Sequence, residues 1–345
     1  MTFRKCLLLA GALLLAAGAL TGCPLTGQIT TDTGGVNLAY FSPEAAVNLK
    51  AGVLDDSPWR AFADDPRVKI TPRAGTQSGE VRIGATDCNL PFTATVTFLN
   101  TDYPQNRATV AVSVTGMEDA DLAVAYGDAV ADAAVMEPTE AVNTLTPIRR
   151  DTSGLIWRGA GASEQVLMVT WTQYTTYDGL AGKSAIFTTP PEKKPFGPMD
   201  WESWVTPAPA VGEFCALQNL PCAERDLRLK QLLGLPPESE KTRFVEFWVS
   251  PKDLFRPAPD SEITDNTAGL RFPADTDPAH VAWFQAQRAY STDPATPYPW
   301  TGLGYTYDWG NPLNHVGLSE YIVREGAVID ILAVWTNDEY CPCVE

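Results

Sequence analysis

The chain has 345 residues, 42 acidic against 25 basic, and a formal net charge of −17. That balance argues against a nucleic-acid surface, because phosphate contacts need clustered Lys and Arg, and against an electrostatic hold on anionic lipid. With 45% hydrophobic and 19% charged residues, the composition is that of a folded globule rather than a disordered chain.

In chain order, Arg4 and Lys5 come first, followed by an uncharged apolar run from Leu7 to Leu20. That run has the length of an export-signal core and is too short for the roughly 20 residues of a spanning helix. It ends in Leu20-Thr21-Gly22-Cys23: an aliphatic residue, two small residues and a cysteine. This resembles the lipobox of bacterial lipoproteins. The resemblance covers residues 1–23 only, and the rest of the chain resembles no known family. It implies that residues 1–22 are removed as a signal peptide. It also implies that the Cys23 thiol takes a diacylglycerol, with an amide-linked third chain, so that several acyl chains give a stable membrane anchor. The next residue is Pro24 rather than Asp, which resembles the outer-membrane-sorted class where an organism has two membranes. The expected location is therefore the cell envelope, lipid-anchored.

Removing residues 1–22 takes away Arg4 and Lys5 and leaves 323 residues with a charge of −19, a length that suits two domains. No second apolar run reaches spanning length, so no transmembrane helix is expected after cleavage. Residues 23–36, rich in Thr and Gly, read as a lipidated flexible tether. Ser42-Pro43-Glu44 has the form of a helix N-cap with Pro at the first position, and predicts a short helix to about Lys50. From about 79 to 190 the period is two: Glu80–Ile83, Thr93–Leu99, Ala108–Thr115, Leu122 to Tyr126, Val166–Tyr174 and Ser184–Thr188. Ala129–Val135 is readable as a helix. Short strands at this spacing predict a β-rich, sandwich-like N-terminal domain over 37–190.

Residues 189–212 are dense in proline and carry the expected domain boundary, so the second domain, α+β, is expected over 191–345. Ala223–Leu233 reads as a helix with Gly234 just past its end. Phe244–Val249 reads as a strand, and Asp277-Pro278 caps a helix to about Tyr290. Val316–Val323 and Ala327–Trp335 read as a hairpin turning at Glu325-Gly326. Cys88, Cys215, Cys222, Cys341 and Cys343 should oxidise outside the cytoplasm. Five is odd, so at least one stays free or pairs between molecules. Cys215 and Cys222 are near enough to close a small loop, but spacing does not fix the connectivity.

Chemistry-bearing patterns are sparse. Between Tyr298 and Trp309, five of twelve residues are aromatic. If 305–309 is a strand, Tyr305, Tyr307 and Trp309 share one face, and with Trp300 they form a candidate surface for a sugar or an apolar peptide; the competing reading is core. His280 and His315 are the only histidines. A hydrolase would use one of them as base beside Ser319, Glu320 or a cysteine. Gly179 to Ser184 fails as a phosphate loop, because Tyr177 stands where the first Gly is needed. Asp275-Thr276-Asp277 lacks the Gly and distal Glu of a calcium loop. Cys341-Pro342-Cys343 reads as two half-cystines rather than a metal or thiol-exchange site. No metal and no cofactor are expected. The function expected is that of a non-enzymatic envelope lipoprotein that binds a ligand or partner. Its contacts would be the membrane, through the lipid, and an envelope protein or glycan, with no nucleic acid. A hydrolase using His280 or His315 and a structural spacer are the alternatives.

Overall fold

The computed structural model describes residues 28–52, 56–186, 202–218 and 220–344. The signal at 1–22, Cys23 and the first residues of the expected tether lie outside the described residues. The chain divides into two compact units after Met117, not in the proline-dense segment near 190. Strands on both sides of that segment hydrogen-bond into one sheet, so it cannot separate domains. No helix among the described residues is long and apolar enough to cross a membrane.

The first unit is a β-sandwich. Its strands are β1 (Ile29–Thr31), β2 (Gly35–Leu38), β3 (Glu44–Ala51), β4 (Trp59–Ala63), β5 (Val68–Thr71), β6 (Ala74–Gly75), β7 (Gly79–Ala85), β8 (Phe92–Asn100) and β9 (Arg107–Val114). They form two sheets, β1-β3-β7-β5 and β2-β9-β8-β4-β6, antiparallel except for the parallel pair β2 and β9. Val47, Leu49, Val81 and Ile83 of one sheet share a buried cluster with Val96, Phe98, Val110 and Val112 of the other. Each such buried side chain contributes about 1.5–3 kcal/mol.

Two expectations fail here. Residues 44–51 are a strand, not a helix: Val47, Leu49 and Ala51 alternate inward with exposed neighbours, and burying one face at period two outweighs the Ser-Pro-Glu helix signal. The described part of the tether is ordered. Ile29 is buried, and the Asp32 carboxylate accepts both the backbone and side-chain N–H groups of Asn48, at 2.9 and 2.7 Å, which holds the segment against β3. Cys88 is the free cysteine among the described residues, fully buried in this core. Burial, with Asp87 adding, pushes its thiol up to about 12, so it stays protonated.

The second unit is α+β. Its strands are β10 (Trp157–Arg158), β11 (Gln165–Thr172), β12 (Ser184–Ile186), β13 (Ser203–Pro207), β14 (Arg243–Val249), β15 (Leu254–Phe255), β16 (Tyr305–Tyr307), β17 (Val316–Ser319), β18 (Tyr321–Val323) and β19 (Val328–Thr336). The main sheet is antiparallel in the order β12-β19-β14-β11-β13-β18-β15, with β10 on β11; β16 and β17 form a separate pair. The helices are α1 (Asp119–Ala133), α2 (Ala208–Gln218), α3 (Cys222–Leu232), α4 (Pro278–Ser291) and the single turn α5 (Asn337–Tyr340).

Leu122, Val124 and Tyr126 lie in α1, not in a strand. Ala125, Ala129 and Ala133 are its buried stripe, at helical spacing. The expected C-terminal hairpin is also absent. The turn at Glu325-Gly326 exists, but β18 pairs with β13 and β15 while β19 pairs with β12 and β14. Tyr321, Ile322 and Val323 are all fully buried, which suits a strand flanked on both edges. Helix α4 starts as expected, the Asp277 carboxylate accepting the Ala279 N–H at 2.8 Å. Gly234 follows α3 with φ +66°, a left-handed helix end. The disulfides are Cys215–Cys341 and Cys222–Cys343, tying α2 and the start of α3 to the C-terminal segment instead of closing a local loop.

One buried ion pair joins α3 to the segment after β16. The Arg228 guanidinium donates to both Asp308 oxygens, at 2.8 and 2.7 Å, with both side chains about 95% buried. Removing one partner of such a pair leaves an uncompensated buried charge. Asp308→Ala is therefore expected to lower unfolding stability by about 3–5 kcal/mol, measured by urea denaturation. Replacing Arg228 and Asp308 together with apolar residues should recover most of that loss.

Candidate functional site

The second unit brings three ligand-type side chains together: Asp132, Glu140 and His315. Asp132 sits in the last turn of α1. That turn carries no basic residue, so the carboxylate adds to the negative end of the helix dipole. Glu140 closes the one-turn helix Pro138–Glu140, where one of its oxygens accepts the Glu137 N–H at 2.7 Å. His315 precedes β17, and its backbone carbonyl accepts the Asp308 N–H at 2.8 Å.

The imidazole lies between the two carboxylates. Its Nδ1 is 4.0 Å from Asp132 Oδ2 and its Nε2 is 3.8 Å from Glu140 Oε1. Two tyrosines frame it. The Tyr307 ring stacks on it at 4.8 Å and 16°, and the Tyr305 ring runs nearly parallel at 6.2 Å. Their hydroxyls pin the acidic side: Tyr307 donates to Asp132 Oδ2 at 2.7 Å, and Tyr305 donates to the Glu140 carbonyl at 3.0 Å while lying 3.3 Å from His315 Nε2. Burial, with Glu140, Asp132 and Glu320 adding, holds the Tyr305 phenol well above its ordinary range, so it stays protonated. The nearby cation is Arg288. It is occupied by three backbone carbonyls, Ala133 at the end of α1, Trp300 and Thr301, at 2.8, 2.8 and 3.0 Å. Burial lowers its pKa while Glu140 opposes that shift. Asp132 is about half exposed, His315 about a third and Glu140 about a tenth, so the cluster opens to solvent on the Asp132 side.

The aromatic row expected as a contact surface is core instead. Trp300, Tyr305, Tyr307 and Trp309 are at most 9% exposed. The Trp309 indole donates to the Leu235 carbonyl at 3.0 Å and its ring meets Tyr126. Trp300 packs against Phe284, Trp204 and Trp283. Tyr305 and Tyr307 meet the site through their hydroxyls and by stacking on His315, so their rings are taken up inside the protein. The two histidines part company: His280 Nε2 lies 2.8 Å from the Ala258 carbonyl and its ring stacks on Trp283, a packing role. Of the nucleophile candidates, Ser319 accepts the Thr146 N–H at 2.8 Å, and Cys215, Cys222, Cys341 and Cys343 are in disulfides. Asp132 and Glu140 were not singled out from sequence. The signal available for Glu140 was Glu137-Pro138-Thr139-Glu140, which has the spacing of a capping box.

No protein-family model matches this chain, and no curated protein matches it. Solved structures give partial likenesses. The PapD-like domain 7 of human CEP192 has 11% identity and a TM-score of 0.23, over 31% of this chain and 98% of that one. The E. coli chaperone DraB has 12% identity and a TM-score of 0.22, over 42% of this chain and 70% of that one. WR4, a C. elegans MSP family member, has 10% identity and a TM-score of 0.21, over 26% of this chain and 99% of that one.

Glu320, between β17 and β18, is the other unusual acid. It is 6% exposed, and its Oε1 has no hydrogen-bond partner among the described residues. Burial pushes its carboxyl up to about 8, with the Trp300 indole N–H working the other way. The folded protein therefore keeps a proton that the unfolded chain releases near its ordinary value of 4.5. Between those limits the folded state holds more protons, so stability falls as pH rises and levels off above about 8. Denaturation midpoints measured from pH 5 to 9 should show this slope, and Glu320→Gln should flatten it.

Proposed function

We propose that the protein is a cell-envelope lipoprotein with a non-enzymatic binding role, and that its ligand is a cationic group taken up at the His315 cluster. One observation carries the binding part: the Asp132 and Glu140 carboxylates converge on a single imidazole at an opening to solvent, the first held by the Tyr307 hydroxyl and the second by the Glu137 N–H. Two carboxylates, one of them at the negative end of a helix, favour a cation. The groups around His315 suit binding better than hydrolysis. Ser319, the serine candidate, accepts the Thr146 N–H, and the side-chain acids beside the imidazole are the carboxylates of Asp132 and Glu140. The envelope part rests on the lipobox at Leu20–Cys23, with anchoring by lipid on Cys23 and, from Pro24, sorting to the outer membrane where there are two membranes.

Both parts are testable. Growth with an alkyne fatty acid should label the full chain, and Cys23→Ser should abolish the label and release the protein from the membrane fraction. Calorimetric titration with spermidine, a lysine-rich peptide and divalent cations in turn should find at least one ligand, whose binding Asp132→Asn and Glu140→Gln both weaken. Binding to none of these cations would sink the reading.

A further inference from the structure

We propose that Asp132, Glu140 and His315 form a binding site for a divalent first-row transition-metal ion, Zn2+ being the reference case. This deepens the cation-binding reading and rests on it.

The donor set is one imidazole nitrogen and two carboxylates. Calcium and magnesium favour sites made of oxygen alone, whereas a mixed nitrogen and oxygen set suits Zn2+, Mn2+, Co2+ or Fe2+. One ligand atom from each residue lies within 4.8 Å of the other two. A four-coordinate ion with bonds of about 2.0–2.2 Å needs ligand atoms about 3.4 Å apart. The contraction required is modest, and the half-exposed Asp132 side chain has solvent on one side in which to make it. Neither imidazole-to-carboxylate approach, at 4.0 and 3.8 Å, is a direct hydrogen bond.

The groups behind the ligands point the same way. Metal-binding side chains are characteristically oriented by hydrogen bonds from a second layer. Here Tyr307 donates to the Asp132 carboxylate, the Glu137 N–H holds one Glu140 oxygen, and Tyr305 ties the Glu140 backbone to the ring of His315. The imidazole is fixed by stacking on Tyr307. Three protein ligands leave a position for water or an external group, the arrangement of an open site rather than a closed structural one. Asp132 also stands where the helix dipole disfavours an acid, a placement that a bound cation offsets.

The test is titration of the metal-free, detergent-solubilised full chain with Zn2+ by calorimetry, and with Co2+ by visible absorption. One equivalent should bind. Asp132→Asn, Glu140→Gln and His315→Ala should each lower affinity at least tenfold, and Tyr307→Phe, which leaves all three ligands in place, by about tenfold. Because His315 is stacked, circular dichroism of each variant should be matched to the parent; the exposed Asp132→Asn keeps the test valid if His315→Ala does not fold. The site is overturned if neither metal binds, or if binding survives Asp132→Asn and Glu140→Gln unchanged. Spermidine binding that these variants abolish, without metal binding, would remove the metal and leave the cation-binding reading standing. Binding of no metal, no spermidine and no lysine-rich peptide would remove both.

Discussion

The arrangement around His315 depends on the buried pair between Arg228 and Asp308. Asp308 follows directly after β16. It is held from helix α3 by two charge-assisted hydrogen bonds, while its own carboxylate also accepts the Gly310 N–H at 3.1 Å. Its backbone N–H in turn holds the His315 carbonyl. One ion pair thus fixes the loop from 308 to 315, and with it the position of the imidazole. The cost of desolvating two charges is offset only by good geometry and by satisfying the remaining lone pairs. The Arg228 guanidinium lies over the Phe214 ring at 4.9 Å, so the pair also sits within the packing of α2 against α3. Losing it would therefore disturb the site and the core together.

The aromatic strand β16 serves core and site at once. The rings of Tyr305 and Tyr307 fill the interior, where their area contributes most. The Tyr307 hydroxyl extends from its buried ring to the Asp132 carboxylate, and the Tyr305 hydroxyl to the Glu140 backbone carbonyl. The tyrosines act as struts behind the acidic residues, and the most exposed member of the cluster is Asp132. Arg288 limits how far that charge accumulates, but its donors are spent on carbonyls rather than on the carboxylates.

Elements whose stabilisation is local were legible in the sequence. Strands β7, β8 and β9 follow from period-two patterning, β11 and β14 from runs rich in apolar and β-branched residues, and α4 from Asp277-Pro278. The helix α1 was obscured because its buried stripe is alanine, which carries little hydrophobic signal, while Leu122, Val124 and Tyr126 happen to alternate. Residues 44–51 were obscured by a helix-start signal that sheet pairing overrode. The domain boundary and the partners of β18 and β19 depend on strands distant in sequence, which no local pattern encodes. Likewise the site draws on residues 132, 140 and 315. His315 stood out for rarity, whereas two acids among 42 did not. The aromatic segment was conspicuous, but its composition could not tell a buried ring from a binding face.

The placement of Cys88 bears on how the other cysteines find their partners. The sandwich that buries it closes with β9, which ends at Val114, long before Cys215 is synthesised. If the units form in chain order, as domains generally do, the odd thiol is sealed inside a finished core before any competitor appears. The four later cysteines then face three possible pairings instead of the larger set that five reactive thiols would allow. In that order the interior of the first unit would work as a sequestering compartment for the odd thiol.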